Sequence, residues 1–218
     1  MRDDYVVAPS AGFPRQGPGR PAGVDSMDTR QRVIDAACEC FARYGYGPST
    51  NNLIAEAAGV TAGSVYYHFG TKRSLFEAVC EDVYGRFVAR SEEALTAVVS
   101  HRDLMVTMLN VMREYHRVSP GSAAFFVAAA VDAQRHTELA EIYARSANRI
   151  NAVIIAAIER GQAAGLTPTD IDPVQMAHLT RALGFGFNHL SAITTPAERG
   201  PILDLFASEF LRAPGRAD

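Results

Sequence analysis

Apolar residues recur at helical spacing almost everywhere from Asp28 onward, and no segment sustains the alternation of apolar and polar positions that a half-buried strand needs. The pattern predicts an all-α protein. A first helix starts with Asp28 as cap and Gln31 three residues on, carries Val33, Ile34, Ala37, Cys38 and Phe41 along one stripe, and ends before Gly45. Gly45, Gly47 and Pro48 force a turn. Ser49 or Thr50 caps a short helix through Leu53, Ile54, Ala57 and Ala58, which Gly59 closes. Thr61 caps a third helix that stops at Gly70, and Thr71 caps a fourth through Leu75, Phe76, Val79, Val83 and Phe87. Farther on, residues 102–118 and 120–133 read as two helices, followed by a long one from Thr137 to Gly165, another from Val174 to Thr195, and a last from Ile202 to Leu211. In the segment from Val174 to Thr195 Arg181 is the only formal charge, so this helix needs cover on more than one face, while Gln175, His178, Asn188 and His189 exclude a membrane span.

Composition narrows this picture. With 218 residues, 48% of them hydrophobic and 21% charged, the chain is long enough to bury a core of one or two domains without a disulfide framework. Residues 1–26 hold four prolines and four glycines between Pro9 and Gly23 and few large apolar side chains, which predicts a disordered tail; Met27, directly after it, is a candidate native start. The predicted helices lengthen after about residue 100. The chain divides on this reading into a compact unit over 27–90, which includes the start of the fourth helix, and a larger one over 91–213. Three cysteines, with Cys38 and Cys40 about 200° apart around their helix, fit neither a secreted framework nor a metal site. They indicate a reducing, cytoplasmic interior. His101, His116, His136, His178 and His189 show no metal-ligand spacing either, so neither a metal nor a cofactor is implied. The net charge of −3 excludes nucleic-acid binding by bulk charge and leaves room only for a local surface.

One stretch meets that condition. A helix-turn-helix needs a small residue where its two helices touch, a glycine in the turn and a branched apolar residue locking the second helix; Ala55, Gly59, Val60 and Val65 supply them in order. The second helix then stands out from the body, where it can enter a major groove. Between Ala57 and Phe76 there is no Asp or Glu, whereas His68, Lys72 and Arg73 lie at the end of that helix and the start of the next.

Tyr66, Tyr67, His68 and Phe69, followed by Lys72 and Leu75, resemble the recognition-helix signature of the TetR family of bacterial transcriptional regulators. The likeness extends over about fifty residues, from Arg32-Val33-Ile34-Asp35-Ala36-Ala37 through Phe41 to Gly47 and Ile54-Ala55-Glu56-Ala57-Ala58-Gly59-Val60 to Thr71-Lys72-Arg73-Ser74-Leu75-Phe76. Glu159 to Gly165, at the end of the long helix, is similar to the family as well. The resemblance implies an N-terminal three-helix DNA-binding domain, a larger helical domain that binds a small molecule and dimerises, and a double-stranded, pseudo-palindromic operator. On this reading Thr61 exposes the first amides of its helix to a phosphate. Ala62, Gly63 and Ser64 let the backbone approach the bases, and Gly63, costly by roughly 1 kcal/mol inside a helix, is explained by that approach. Tyr66 meets base edges or sugars, Tyr67, His68 and Lys72 meet phosphates, and Ser49 and Thr50 add phosphate contacts or serve only as caps. Val65 and Phe69 pack inward.

For the second domain the candidate effector residues are Met105, Met108, Met112, Phe125, Phe126, Tyr143, His178 and Phe185, which suit an apolar or planar molecule, with plain core packing as the alternative for each. Ala182, Gly186 and Ser191 on one helix and Leu205, Phe206 and Phe210 on the last are the candidate interface of a homodimer. The expected function is a ligand-responsive repressor rather than an enzyme. The rivals are an all-α enzyme using Tyr143, His178 and Arg181 for acid-base chemistry and a helix-turn-helix that binds protein instead of operator DNA. No Ser-His-Asp set, phosphate loop or paired carboxylate supports the first, and the second does not need an acid-free face.

Overall fold

Most of the helices begin where a side-chain oxygen caps them. A computed structural model describes residues 22–97, 100–119 and 121–210, and among these residues it contains nine helices and no strand. They are α1 (Ala22–Tyr44), α2 (Asn51–Ala58), α3 (Ala62–Phe69), α4 (Lys72–Leu95), α5 (His101–Val118), α6 (Gly121–Arg135), α7 (Thr137–Ala163), α8 (Pro173–Ile193) and α9 (Pro196–Phe210). Thr50, Thr61 and Thr71 accept from the amides of Leu53, Ser64 and Ser74 at 3.2, 3.1 and 3.0 Å, and Asp172 accepts from those of Val174 and Gln175.

Two helix starts differ from the sequence reading. α1 begins at Ala22, inside the expected tail, instead of at Asp28; from Val24 to Tyr44 there is neither proline nor glycine to stop it, so the cap at Asp28 is not needed. The rest of the expected tail, residues 1–21, lies outside the described residues. α9 begins at Pro196, six residues before Ile202. Thr195 and Glu198 form a capping box there, the Thr195 amide donating to Glu198 Oε2 at 2.9 Å and the Glu198 amide to Thr195 Oγ1 at 3.4 Å, and Pro196 has the fixed φ that the first helical position favours. Pro201 sits within this helix.

α1 lies against α2 and α6, and α4 lies against α1, α5 and α7, so one apolar core takes in Ile34, Phe41, Phe76, Phe126, Ile142 and Ile154. Tyr46 is the hinge pin of this arrangement. Its ring lies 5.4 Å from that of Phe76 and 5.1 Å from that of His136, and its amide donates to the buried carboxylate of Asp132 on α6 at 2.7 Å. On the outside, Arg145 of α7 pairs with Glu77 of α4, and Arg73 Nε donates to the Glu138 carbonyl at 3.1 Å.

Candidate nucleic-acid interface and internal cavity

The turn between α2 and α3 depends on Gly59, whose φ of 63° is left-handed. Its amide donates to the Glu56 carbonyl and that of Val60 to the Ala55 carbonyl at 2.9 Å, so the last carbonyls of α2 are satisfied as the chain reverses. Arg32 of α1 completes this end, donating from Nη2 to the Ala58 carbonyl at 2.6 Å and to the Gly59 carbonyl at 3.2 Å. A cation at the negative end of a helix is favourable. A side chain at Gly59 would come within 3.1 Å of that guanidinium as well as meeting a backbone strain. The sequence reading used Arg32 only as part of a motif and missed this contact, because nothing in local spacing links residues 32 and 58.

α3 is held from beneath by buried Val65 and by Phe69, over whose ring the Arg30 guanidinium stands at 5.3 Å. Its other face is open. Tyr66 is 68% exposed and Tyr67 82%, a large expanse of aromatic surface left in solvent. His68 stacks edge-on with Tyr67 at 5.2 Å. Thr61, the cap, is exposed and its oxygen also contacts the Ser64 hydroxyl at 3.0 Å. Gly63 is the second residue of α3, where its amide has no partner within the helix, and a Cβ placed there would meet only Thr61 Oγ1 at 3.6 Å. The chain itself therefore does not require a glycine at 63. Ala62 is half-buried against the core.

Two expected phosphate contacts are placed differently. Ser49 is 0% exposed and its hydroxyl donates to the Gly45 carbonyl at 2.7 Å, satisfying the turn after α1, so it neither caps α2 nor reaches a phosphate. Thr50 alone is the cap. The Lys72 ammonium is folded back: it donates to the carbonyls of Tyr46 and Gly47 at 2.8 and 2.9 Å and stands 4.4 Å from the centre of the Tyr46 ring, and burial lowers its pKa. An ammonium can serve both a carbonyl pair and a ring because it has three donors and a compact charge. It thus closes the loop that the sequence reading treated as a simple glycine turn.

In the other half of the molecule α4, α5, α6, α7 and α8 line a cavity that is partly open to solvent. Met105, Met108, Met112, Phe126, Tyr143 and Phe185 line it, as the sequence reading expected. Phe125 does not: it is fully buried with its ring 5.8 Å from Phe76, and adjacent residues of a helix point about 100° apart, so Phe125 and Phe126 face different neighbours. His178 is exposed on the outer face of α8 and takes no part in the cavity, which removes one of the three residues of the acid-base reading. Tyr84, Phe87 and Asn188 were not foreseen as cavity residues, and Arg181 was named only in the acid-base reading. Phe87 belongs to the apolar stripe read along α4 and Tyr84 was not singled out; Phe126 packs edge-on to Tyr84 and Phe87, at 4.7 and 5.5 Å. Burial pushes the Tyr84 phenol well above its ordinary pKa and raises that of Tyr143, so both are neutral donors.

The outer face of α8 is apolar where a lone subunit would be polar. Leu179, Ala182, Phe185, Gly186 and Ile193 lie on it and are exposed, interrupted by His178 and His189, and Leu205 of α9 is 59% exposed beside them. Ser191 is half-buried at the edge of this face. Phe206 is partly buried, with its ring 5.1 Å from Phe187 of α8, and the side chain of Phe210 lies outside the described residues. Among the described residues no helix is long and apolar enough to cross a membrane, and no three His, Cys, Asp or Glu side chains form a metal site.

Residues 33–79 match the model of bacterial regulatory proteins of the tetR family. The chain is 45% identical over 60 residues to the HTH-type transcriptional regulator SrpR of Pseudomonas putida, a stretch that covers 28% of each chain. It spans less than half the length of the curated relatives it matches. Its fold is similar to that of a TetR-family transcriptional regulator from Rhodococcus sp., with a TM-score of 0.67 and 25% identity over 84% of this chain and 98% of the other. A transcriptional regulator from Saccharomonospora viridis, solved in complex with choline, has a TM-score of 0.66 and 18% identity over 84% of this chain and 97% of its own. Residues 33–79 thus carry the sequence of the tetR family of bacterial regulatory proteins, and 84% of the chain shares the fold of a TetR-family transcriptional regulator.

Proposed function

We propose that this chain is a homodimeric, cytoplasmic transcriptional repressor that releases its operator when a small molecule fills the cavity. The observation that carries the DNA-binding part is α3: eight residues capped by Thr61, locked underneath by Val65, with Tyr66 and Tyr67 almost free of the protein and nothing crowding Gly63. In a major groove Gly63, Ser64 and Tyr66 meet bases, and Thr50, Thr61, Tyr67 and His68 meet phosphates. Residues 27–90 act as the DNA-binding head and 91–213 as the effector-binding and dimerisation body, the boundary falling within α4. The reading gives the chain no catalytic role.

Dimerisation through the outer faces of α8 and α9 gives the exposed Leu179, Ile193 and Leu205 a place to be buried, and Ala182 and Gly186 let two such helices approach closely. It also sets the two α3 helices in register with half-sites about 34 to 36 Å apart.

α6 supplies the coupling. Phe126 faces the cavity, Phe125 faces Phe76 in the head, and Asp132, two turns farther on, holds the Tyr46 amide. A ligand that moves Phe126 moves a rigid helix attached to the turn between α1 and α2. Release then requires the ligand to bind more tightly to the arrangement in which the two heads are wrongly spaced; equal affinity for both states shifts nothing. A gel-shift titration with the DNA upstream of the chain's own gene tests the reading. The full chain is expected to retard that fragment specifically over random DNA, and absence of any specific complex would leave the helix-turn-helix as a protein-binding module.

A further inference from the structure

The cavity wall is chemically uneven. Its body is Met105, Met108, Met112, Phe126 and aliphatic side chains of α7, but Arg181 enters from α8 with a full positive charge. No Asp or Glu lines the cavity, and Arg181 forms no hydrogen bond or ion pair with a described residue. A guanidinium half withdrawn from water against an apolar wall is costly unless an anion meets it. Two phenols stand near enough to feel that charge, those of Tyr84 and Tyr143, and neither hydroxyl donates to a protein group among the described residues. Nearby Asn188 has a buried side-chain oxygen without a partner. The fold thus gathers the unspent donors of Arg181, Tyr84 and Tyr143 in an otherwise apolar chamber, with the Asn188 oxygen an acceptor beside them.

Resting on the reading of this cavity as the effector site, we infer that the effector is an amphipathic carboxylate: an apolar or aromatic body among the methionines and one carboxylate on Arg181. The planar fork of arginine matches a carboxylate with two parallel hydrogen bonds, and the phenols, being neutral, add donors rather than opposing charge. Methionine accommodates bodies of different outline, so the charge at the end selects the class while the wall tolerates the shape. A cationic amphiphile would meet Arg181 with like charge and no carboxylate to offset it.

Titration calorimetry with the full chain at neutral pH compares decanoate with decanol and naphthoate with naphthamide, pairs that differ in charge but hardly in shape. Each acid is expected to bind about ten- to a hundredfold more tightly than its neutral twin. Arg181→Gln should erase that preference while leaving the neutral twin unchanged, and Arg181→Lys should keep part of it. Neutral twins that bind as well as the acids, an Arg181→Gln protein with the preference intact, or no binding by either acid would each overturn the inference. So would an Arg181→Gln protein that loses its dimer in sedimentation, because the guanidinium would then serve the subunit contact. The cavity reading is checked separately with the neutral dye Nile red, whose fluorescence should fall when Met108→Trp or Ala147→Phe fills the chamber. Dye binding indifferent to both substitutions would remove the cavity as a site, whatever the carboxylates do.

Discussion

α2–α3 and α8–α9 are both pairs of helices joined by a tight connection, and both leave large side chains in solvent, but the kind of side chain differs. At α3 the exposed residues are Tyr66 and Tyr67, each with a hydroxyl at its tip, on a segment that carries no acid from Ala57 to Phe76. At α8–α9 they are Leu179, Ile193, Ile202 and Leu205, with no polar atom beyond the backbone. An aromatic ring with a polar tip is suited to a wet, charged partner; bare aliphatic surface is suited only to a surface like itself. The contrast teaches that exposure alone says little, and that the chemistry of what is exposed distinguishes a nucleic-acid face from a subunit face.

The largest effect should come from charging the second pair. Gly186 is exposed and nothing approaches the position of its missing side chain, so Gly186→Glu should leave the subunit folded, produce monomers in analytical ultracentrifugation and abolish specific operator binding. Dimers that persist would break the comparison by putting the interface elsewhere. Phe206→Asp is a less selective form of the same test, because Phe206 also packs on Phe187 within the chain.

The body also contains a titration that links α5, α8 and α9. Burial chiefly, and the charge of Arg199 secondarily, push the pKa of His116 down to about 4, partly opposed by Asn188. The folded state therefore keeps this imidazole neutral while the unfolded chain protonates it, and stability falls as pH drops from about 6.5 towards 4, by an amount on the order of 3 kcal/mol. Chemical denaturation across this window should show the loss, and His116→Gln should flatten it; an unchanged pH profile in the variant would assign the acid sensitivity to other groups.

Returning to the first pair, Tyr66→Ala and Gly63→Ala should each cost about 1 to 3 kcal/mol on the operator and little on random DNA, read by fluorescence anisotropy. Equal losses on both DNAs would make these residues backbone contacts. The smallest effect sharpens the corrected role of Lys72. With its ammonium on the Tyr46 and Gly47 carbonyls, Lys72→Gln should lower thermal stability by about 1 kcal/mol and leave the salt dependence of operator binding unchanged. A salt slope reduced by about 1 per subunit would return that charge to the phosphate backbone.

The helical class, the caps at Thr50, Thr61 and Thr71 and the turn at Gly59 were legible from local spacing alone, because caps and left-handed turns are decided by residues three or four positions apart. So was the methionine lining of α5, which follows from helical period. The long-range contacts were not legible: Arg32 on the end of α2, Lys72 folded back on the turn after α1, Asp132 on the Tyr46 amide 86 residues away. Nor could the sequence separate Phe125 from Phe126, or Ser49 from Thr50, since each pair consists of neighbours with like chemistry and only the packing of α6 and the turn fixed which one faces where. Arg181 makes the same point in reverse. The sequence determined that a lone charge would stand on a nearly apolar helix; only the assembly of α5, α6 and α7 around α8 decided that this charge borders an apolar chamber, because a side chain's surroundings come from segments distant along the chain.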